Sequence, residues 1–400
     1  MNGFAKRLAR VQPSAIRTLN ERARELKAMG RNPIDLSIGE PDFDTPDNIK
    51  RAAMAAIEAG ETRYTEIHGS ARLRDAIVEK FKRDNALNFS RSQITVAGGA
   101  KLMMFNAMMA TLDAGDEVII PAPYWTTYPD VVRIAEGVPV FVPCPQDHGF
   151  KLRAEDLQAA ITPRSKWLLL NSPSNPSGSV YSRDDLGAIG EVLMAHEDLR
   201  VLTDDIYEHL IYDGIEFVTM AQVVPALKDR TLTLNGVSKA YAMTGWRLGY
   251  AGGAEDLIAA MGNVQQQSST HASSITQAAA LEALAGPQTI LAERRERFQR
   301  RRDLLVSALQ AIEGLECISP EGTFFAYPSC AGLMGKRTPD GLTLETDQDF
   351  AAYLLERADV GVVPGAAFGL SPHFRVSFAL AREQLEEACA RIGRACAALR

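Results

Sequence analysis

The 400-residue chain predicts an α/β protein: a mainly parallel sheet with helices on both faces, and a smaller domain beside it. Three observations point there. From about residue 94, short apolar runs alternate with amphipathic stretches, the rhythm of βαβ units. Runs such as Trp167-Leu168-Leu169-Leu170 are apolar without a break, so both faces of those strands need cover. The last hundred residues change character, with long charged helices around short aromatic strands. A chain of this length can bury a large core and divide into more than one domain.

In chain order, a charged helix is expected over about residues 13–29, stopped by Gly30. Residues 35–46, holding Gly39, Pro41 and Pro46, read as an irregular loop. Thr45 is then a hydroxyl N-cap with Pro46 at the first helical position. Ile49, Ala52, Ala53, Ala56 and Ile57 form one apolar face, ended by Gly60. Strands are expected at residues 94–96, 117–120, 138–142, 167–170, 200–203 and 231–234. Helices are expected at 101–112, 128–135, 154–161 and 183–196, the last capped by Ser182 with Asp185. Met103, Met104, Met108 and Met109 make a stripe suited to core packing. After Gln265 a small polar run leads into a helical region broken at Gly286-Pro287, followed by a helix at 294–312. Residues 324–327, 360–363 and 374–377 read as strands of a second, smaller sheet, and 382–399 as a closing helix. The large domain is placed at residues 46–285 and the small one at 1–45 and 286–400.

Bulk properties exclude several functions. A formal charge of −7 leaves no electrostatic footprint for nucleic acid or an anionic membrane. The polar, basic N-terminus is unlike a secretory signal, and no apolar run nears the ~20 residues of a membrane helix. The five cysteines form no CxxC pair, which fits reduced thiols and a cytoplasmic setting. The six histidines show no metal-ligand spacing, so no metal is expected.

The chemistry centres on residues 235–250. Lys239 follows a buried strand and a glycine turn, with Ser238 beside it and Arg247 eight residues on. A lysine amine can form a Schiff base once burial or neighbouring cations lower its pKa. A hydroxyl and a guanidinium fork suit a phosphate dianion. Imine-forming lysine and phosphate clamp together suggest pyridoxal phosphate. Thr203-Asp204-Asp205-Ile206-Tyr207 also follows a buried strand, and a carboxylate there can hold a pyridine nitrogen protonated. On these residues alone both acids remain candidates. Gly98-Gly99-Ala100-Lys101 joins a strand to a helix whose free N–H groups favour an anion. Arg375 lies inside the apolar strand Phe374-Arg375-Val376-Ser377, where a buried guanidinium needs an anionic partner: a structural salt bridge or a ligand.

Residues 238–250 closely resemble the Ser-Lys-x-x-x-x-x-Gly-Trp-Arg-x-Gly-Tyr motif of class I aminotransferases. Matches run from the Gly39 loop to Arg375, and the chain looks most like the bacterial aspartate/prephenate aminotransferase subgroup. The resemblance implies a fold type I enzyme with a seven-stranded large-domain sheet and a small α+β domain built from both termini. It implies pyridoxal 5'-phosphate bound as a Schiff base on Lys239, which also moves the substrate proton. It selects Asp204 over Asp205 for the ring nitrogen, and it gives Tyr207 and Asn175, in Asn171-Ser172-Pro173-Ser174-Asn175-Pro176-Ser177-Gly178, to the phenolic oxygen. Gly99, Ala100, Lys101, Ser238 and Arg247 would hold the phosphate, and Trp125 would stack on the ring. Arg375 and the backbone of Gly39 would hold the α-carboxylate, with Trp125 and Asn175 also facing substrate. Tyr64 would reach the phosphate of a neighbouring subunit, implying a homodimer with shared sites.

The implied reaction is transamination between an L-amino acid, with aspartate or another dicarboxylic donor favoured, and 2-oxoglutarate. Broad-specificity, aromatic or prephenate transamination are the alternatives, with β-lyase or decarboxylase chemistry on the same cradle. An α-carboxylate held in an Arg375 fork is poorly aligned to leave, which disfavours decarboxylation. Relatives active on prephenate carry a basic residue where this chain has Gln12, and small residues where it has His271.

Overall fold

The apolar runs assemble into one seven-stranded sheet in the computed structural model, which describes residues 3–11 and 15–400, the side chains of 15–20 excepted. A short strand β1 (Ile34–Asp35) precedes the sheet. The sheet comprises β2 (Ile94–Ala97), β3 (Glu117–Ala122), β4 (Val138–Pro143), β5 (Ser165–Asn171), β6 (Arg200–Asp204), β7 (Thr231–Gly236) and β8 (Gly249–Gly252). Their order is β2-β8-β7-β6-β5-β3-β4, and β8 alone pairs antiparallel with its neighbours. β8 lies inside the lysine motif and is too rich in glycine to show an apolar run.

Side chains alternate cleanly between two layers. Val118, Ile120, Trp167, Leu169, Leu202, Leu232 and Leu234 pack beneath helices Ala100–Thr111, Tyr128–Ile134 and Glu255–Ser268. Ile119, Leu168, Leu170 and Val201 face the opposite layer, under helices Ala154–Ala160 and Arg183–Met194. Neighbours along a strand therefore bury on opposite faces, which is why these runs are apolar throughout. Each fully buried aliphatic side chain contributes roughly 1.5–3 kcal/mol. Met103, Met104 and Met108 pack in the first layer, while Met109 lies at its exposed margin. A third cluster joins helices Asp47–Glu58, Ala71–Asn85 and Ser274–Ala285 to Val237, Ala240 and Met243 of the lysine loop.

Beside this body, Ile34 and Leu36 share a core with helices Thr289–Gln310, Asp347–Ala358 and Arg382–Ala397. The short strands here are β9 (Phe325–Ala326), β10 (Val360–Gly361), β11 (Val363–Pro364) and β12 (Phe374–Ser377). They form two sheets where one was expected: β1 pairs parallel with β10, and β11-β12-β9 is antiparallel. The chain changes sheet between Gly361 and Val363.

Two local expectations are corrected. Thr45 does not cap the helix Asp47–Glu58, whose N-cap is Pro46 without a side-chain bond. Its hydroxyl instead donates to the Ala242 carbonyl at 2.7 Å and accepts from Trp246 Nε1 at 2.9 Å, tying the irregular loop to the lysine loop. Ile57, placed on that helix's apolar face, is 54% exposed while Ile49 is buried. Ser182 and Asp185 do form the reciprocal capping box of helix Arg183–Met194.

Candidate active site

Four segments converge on a cavity of about 220 Å³ at the carboxyl edge of the parallel strands, where open α/β sheets place ligands. β5 ends at Asn171, β6 ends at Asp204, and the turn after β7 presents Lys239. Arg375 enters from β12. Gly39, Ala100, Trp125, Asn175 and Tyr207 also line the cavity, together with Ser37, Tyr128, Asn171 and Ile206, which the sequence did not single out as site residues.

Lys239 Nζ donates to the Gly39 carbonyl at 2.6 Å and lies 5.9 Å from the ring centroids of Tyr207 and Phe324. Burial, then the nearby charges of Arg375 and Arg247, lower its pKa to about 8, against the opposing pull of Glu40 and Asp204. The amine is therefore mostly charged near physiological pH, with an appreciable neutral minority that an ordinary lysine lacks. Gly39 was expected to present its N–H; the contact seen is through its carbonyl.

Asp204 is buried, and Tyr128 donates its hydroxyl to Oδ2 at 2.8 Å. Oδ1 is buried without a hydrogen-bond partner. Burial raises this carboxyl to about 6, opposed by Tyr128, the Ile206 backbone and Lys239. Asp205 is also buried but lines no part of the cavity. Its backbone N–H donates to the Leu234 carbonyl at 2.9 Å, its carboxylate accepts from Thr203 Oγ1 at 3.4 Å, and burial lifts its pKa well above the usual range. An unpartnered carboxylate oxygen on a residue that lines the cavity suits an incoming N–H donor; of the two neighbouring acids only Asp204 offers one.

Arg375 is 2% exposed. Nη2 donates to the Ser37 carbonyl at 2.7 Å and Nη1 to Asn175 Oδ1 at 3.0 Å, while Nε has no partner. The guanidinium carbon lies 4.3 Å from the Phe325 ring centroid and 5.1 Å from that of Phe368. Burial lowers its pKa to about 10. Among the described residues no carboxylate pairs with it. A buried cation without a counter-ion is costly and is poised to take one. Asn175 in turn bonds the Tyr207 hydroxyl, and its N–H donates to Asn171 Oδ1 at 2.8 Å. Asn171 Nδ2 donates to the Asp204 carbonyl at 2.7 Å, so one chain of bonds sets Arg375, Tyr207 and the β6 end together.

Beside Ala100, which lines the cavity, the chain suits an anion, although Gly99, Lys101, Ser238 and Arg247 lie outside the lining. Gly99 has φ 106°, and a Cβ there would sit 2.5 Å from Arg247 Nη2. A Cβ on Gly249 would meet the Ala100 nitrogen at 2.3 Å, so both glycines permit the close approach. Helix Ala100–Thr111 begins here without a side-chain cap, leaving its first N–H groups available. Ser238 is buried next to Lys239, and Arg247 is exposed, with Nη1 on the Thr244 carbonyl at 3.0 Å. Lys101 Nζ lies 4.9 Å from the Trp125 ring centroid, and of the two only Trp125 lines the cavity. Trp125 meets Tyr128 edge-on, with centroids 5.4 Å apart.

Tyr64 stands apart. It is 89% exposed, with its ring edge-on to His271 at 5.3 Å, and neither residue lines this chain's cavity. Gln12 lies outside the described residues. Of the residues the sequence overlooked, Tyr128 had a signal, since it follows the singled-out Trp125 by three and begins a helix. Asn171 opened a quoted motif. Ser37 and Ile206 act through backbone or shape and carried none.

Comparison with known proteins agrees with this geometry. The family model for aminotransferases of class I and II matches residues 31–392. The chain is 57% identical to the aspartate aminotransferase of Rhizobium meliloti (strain 1021), over 98% of this chain and 96% of that one. It is 56% identical to the aspartate/prephenate aminotransferase of Cereibacter sphaeroides, over 98% of each. A crystal structure of the Rhizobium meliloti aspartate aminotransferase superposes with a TM-score of 0.98 at 56% identity, covering all of both chains. The Thermus thermophilus aspartate aminotransferase with maleate gives 0.92 at 40%, covering 99% of this chain and all of that one. The chain belongs to the class I and II aminotransferases, the pyridoxal-phosphate-dependent enzymes that move an amino group from an amino acid to a 2-oxo acid.

Proposed function

We propose that this aminotransferase takes the amino group of a dicarboxylic L-amino acid, aspartate first, and passes it to 2-oxoglutarate in a ping-pong exchange, with pyridoxal phosphate carried on Lys239. The observation that carries the proposal is Arg375: a buried guanidinium with no acid partner among the described residues, lining one cavity with Lys239. The names of the Rhizobium and Cereibacter relatives supply the preference for aspartate.

Bound pyridoxal phosphate supplies an electron sink that lets a Cα proton leave an amino acid. Asp204 Oδ1 would accept the N–H of the pyridine ring, with Oδ2 fixed by Tyr128. Tyr207 and Asn175 would meet the phenolic oxygen. Gly99, Ala100, Lys101, Ser238 and Arg247 would hold the phosphate at the helix N-terminus. Trp125 forms a flat wall. Arg375, oriented by Ser37 and Asn175 and flanked by two phenylalanines, binds the α-carboxylate, with Gly39 alongside. Lys239 Nζ, lowered to about 8, removes the Cα proton and later returns one, an exchange that needs both protonation states near neutral pH. Lys101, against the Trp125 ring, is the candidate for the second carboxylate of aspartate, directly or through water.

The working unit is proposed as a cytoplasmic homodimer. The exposed Tyr64 has no role in its own chain's cavity and so is available to a partner's, and all five cysteines are buried and unpaired. The division into residues 46–285 and the two terminal segments is supported by the core that Ile34 and Leu36 share with the C-terminal helices, into which Tyr207, Leu210 and Tyr212 of the larger segment also reach.

A panel of amino donors against 2-oxoglutarate tests the substrate assignment. Aspartate and glutamate are expected to lead; an aliphatic or aromatic donor ahead of both would overturn it. The Cereibacter relative's name favours a second activity on prephenate. We expect it to be weaker here, because Gln12 replaces a basic residue. A buried charged contact is worth about 1.5–3 kcal/mol, so Gln12→Lys should raise prephenate kcat/KM by roughly tenfold or more and leave aspartate unchanged.

A further inference from the structure

Outside the cavity, a second buried polar cluster joins the same strand ends. Lys80, on helix Ala71–Asn85, is fully buried and pairs with Glu208, itself 6% exposed. Lys80 Nζ also donates to Asn85 Oδ1 at 2.7 Å. The Glu208 carboxylate receives Asn85 Nδ2 on Oε2 and Asn235 Nδ2 on Oε1, each at 2.7 Å. Asn235 Oδ1 accepts the N–H of Gly236 at 2.7 Å. His209 Nε2 lies 3.4 Å from Glu208 and 3.8 Å from Asp84. Asp84, Glu208 and His209 thus gather at metal-like spacing, but the Lys80 ammonium already takes the cation's place against Glu208.

The position of the cluster in the chain gives it a role. Glu208 directly follows Tyr207, and its N–H donates to the Asp205 carbonyl at 3.0 Å, so it closes the turn that begins at Asp204. Asn235 sits on β7, four residues before Lys239. One residue therefore ties the turn after β6, through its backbone, to β7, through its carboxylate, and anchors both to a helix that lines none of the cavity. Burial works against that carboxylate, yet Lys80, His209 and Asn85 together bring it down to about 2. A buried ion pair adds little net stability compared with well-packed apolar side chains. Its use here is geometric.

We propose that Lys80 and Glu208 are positioning residues of the aminotransferase site: through Asn235 and the turn after Asp204, the pair fixes Lys239 relative to Asp204 and Tyr207. This rests on the roles given those three residues above. A misplacement of about 1 Å at a reacting group costs on the order of a hundredfold in rate.

The test compares the full-length, cofactor-loaded protein with a Lys80→Met/Glu208→Gln double variant, which removes both charges at similar volume and leaves one carbonyl acceptor where the carboxylate took both Asn85 and Asn235. Melting temperature, the visible circular dichroism of the bound cofactor, and kcat and KM for aspartate are measured. The expected result is a folded protein with kcat down roughly tenfold to a hundredfold, KM little changed and a weakened visible dichroic band. A folded double variant with parental kcat and dichroism would overturn the proposal. Should the double variant not fold, Asn235→Ser cuts the link from Glu208 to β7, together with the local bond to the Gly236 N–H, and leaves the Lys80–Glu208 pair in place. It must show the same kcat loss and dichroic change, and parental values there would also overturn the proposal. If the parent itself lacks aspartate turnover, the substrate assignment fails separately, because the dichroic comparison needs only bound cofactor.

Discussion

The chain buries charge in two neighbouring places and treats it in opposite ways. Around Glu208, the carboxylate is matched by Lys80, Asn85 and Asn235. In the cavity, Asp204 keeps one bare oxygen, Arg375 keeps a bare Nε and lacks an acid among the described residues, and Lys239 rests on a backbone carbonyl. Both clusters are about equally dry, so burial alone does not separate architecture from function. What separates them is satisfaction. Folding would not retain an unmatched buried charge, which costs several kcal/mol, unless a ligand were to complete it.

That contrast can be broken by substitution. The largest effect is expected at Lys239→Ala, where lost proton transfer alone should lower kcat for aspartate by roughly 10²–10⁴-fold. Borohydride reduction of the loaded protein and peptide mapping should place the pyridoxyl group on Lys239; a label on Lys101 would contradict the assignment. In the matched cluster, Lys80→Met alone strands Glu208 and should destabilise the fold by about 3–5 kcal/mol, read by denaturant unfolding.

Asp204→Asn should do the reverse in the cofactor-free protein. Its carboxyl rises from 3.8 to about 6 on folding, so the penalty sets in as pH climbs past 3.8 and is complete above about 6. Removing the charge should therefore stabilise the apoprotein at neutral pH by on the order of 2–3 kcal/mol, with no gain below pH 4. Turnover should fall by a similar energy, while Asp205→Ala should leave the chemical step nearly intact. An apoprotein that Asp204→Asn destabilises at neutral pH would end the distinction between the two clusters.

Smaller effects follow. Arg375→Ala should cost about 1.5–3 kcal/mol in kcat/KM for aspartate, and Arg375→Lys should recover little, because the ammonium cannot reproduce the fork. The least is expected at Tyr64→Phe, which should weaken cofactor retention by about 0.5–3 kcal/mol through one lost hydrogen bond. A fully active monomer in light scattering would refute the shared site.

The sequence by itself determined the layered α/β body, because continuous apolar runs have few stable arrangements other than strands covered on both faces. It also determined Lys239 and Asp204 as candidates, because reactive groups at strand ends in such sheets converge, and Arg375, because a guanidinium inside an apolar strand needs an anionic partner. Tertiary structure decided what depends on partners distant in the chain. Thr45 looked like a helix cap and became a clasp on Ala242, since a hydroxyl takes whichever acceptor lies nearest in space. Asp204 and Asp205 are chemically identical neighbours, and only the strand's pleat turns one into the cavity and the other away. Tyr128 became part of the site because its helix stands over the end of β6. The difference between Glu208 and Arg375, one matched and one bare, required the positions of helix Ala71–Asn85 and of β12. Local sequence sets which groups are present; the long-range packing of those elements sets which of them remain unsatisfied.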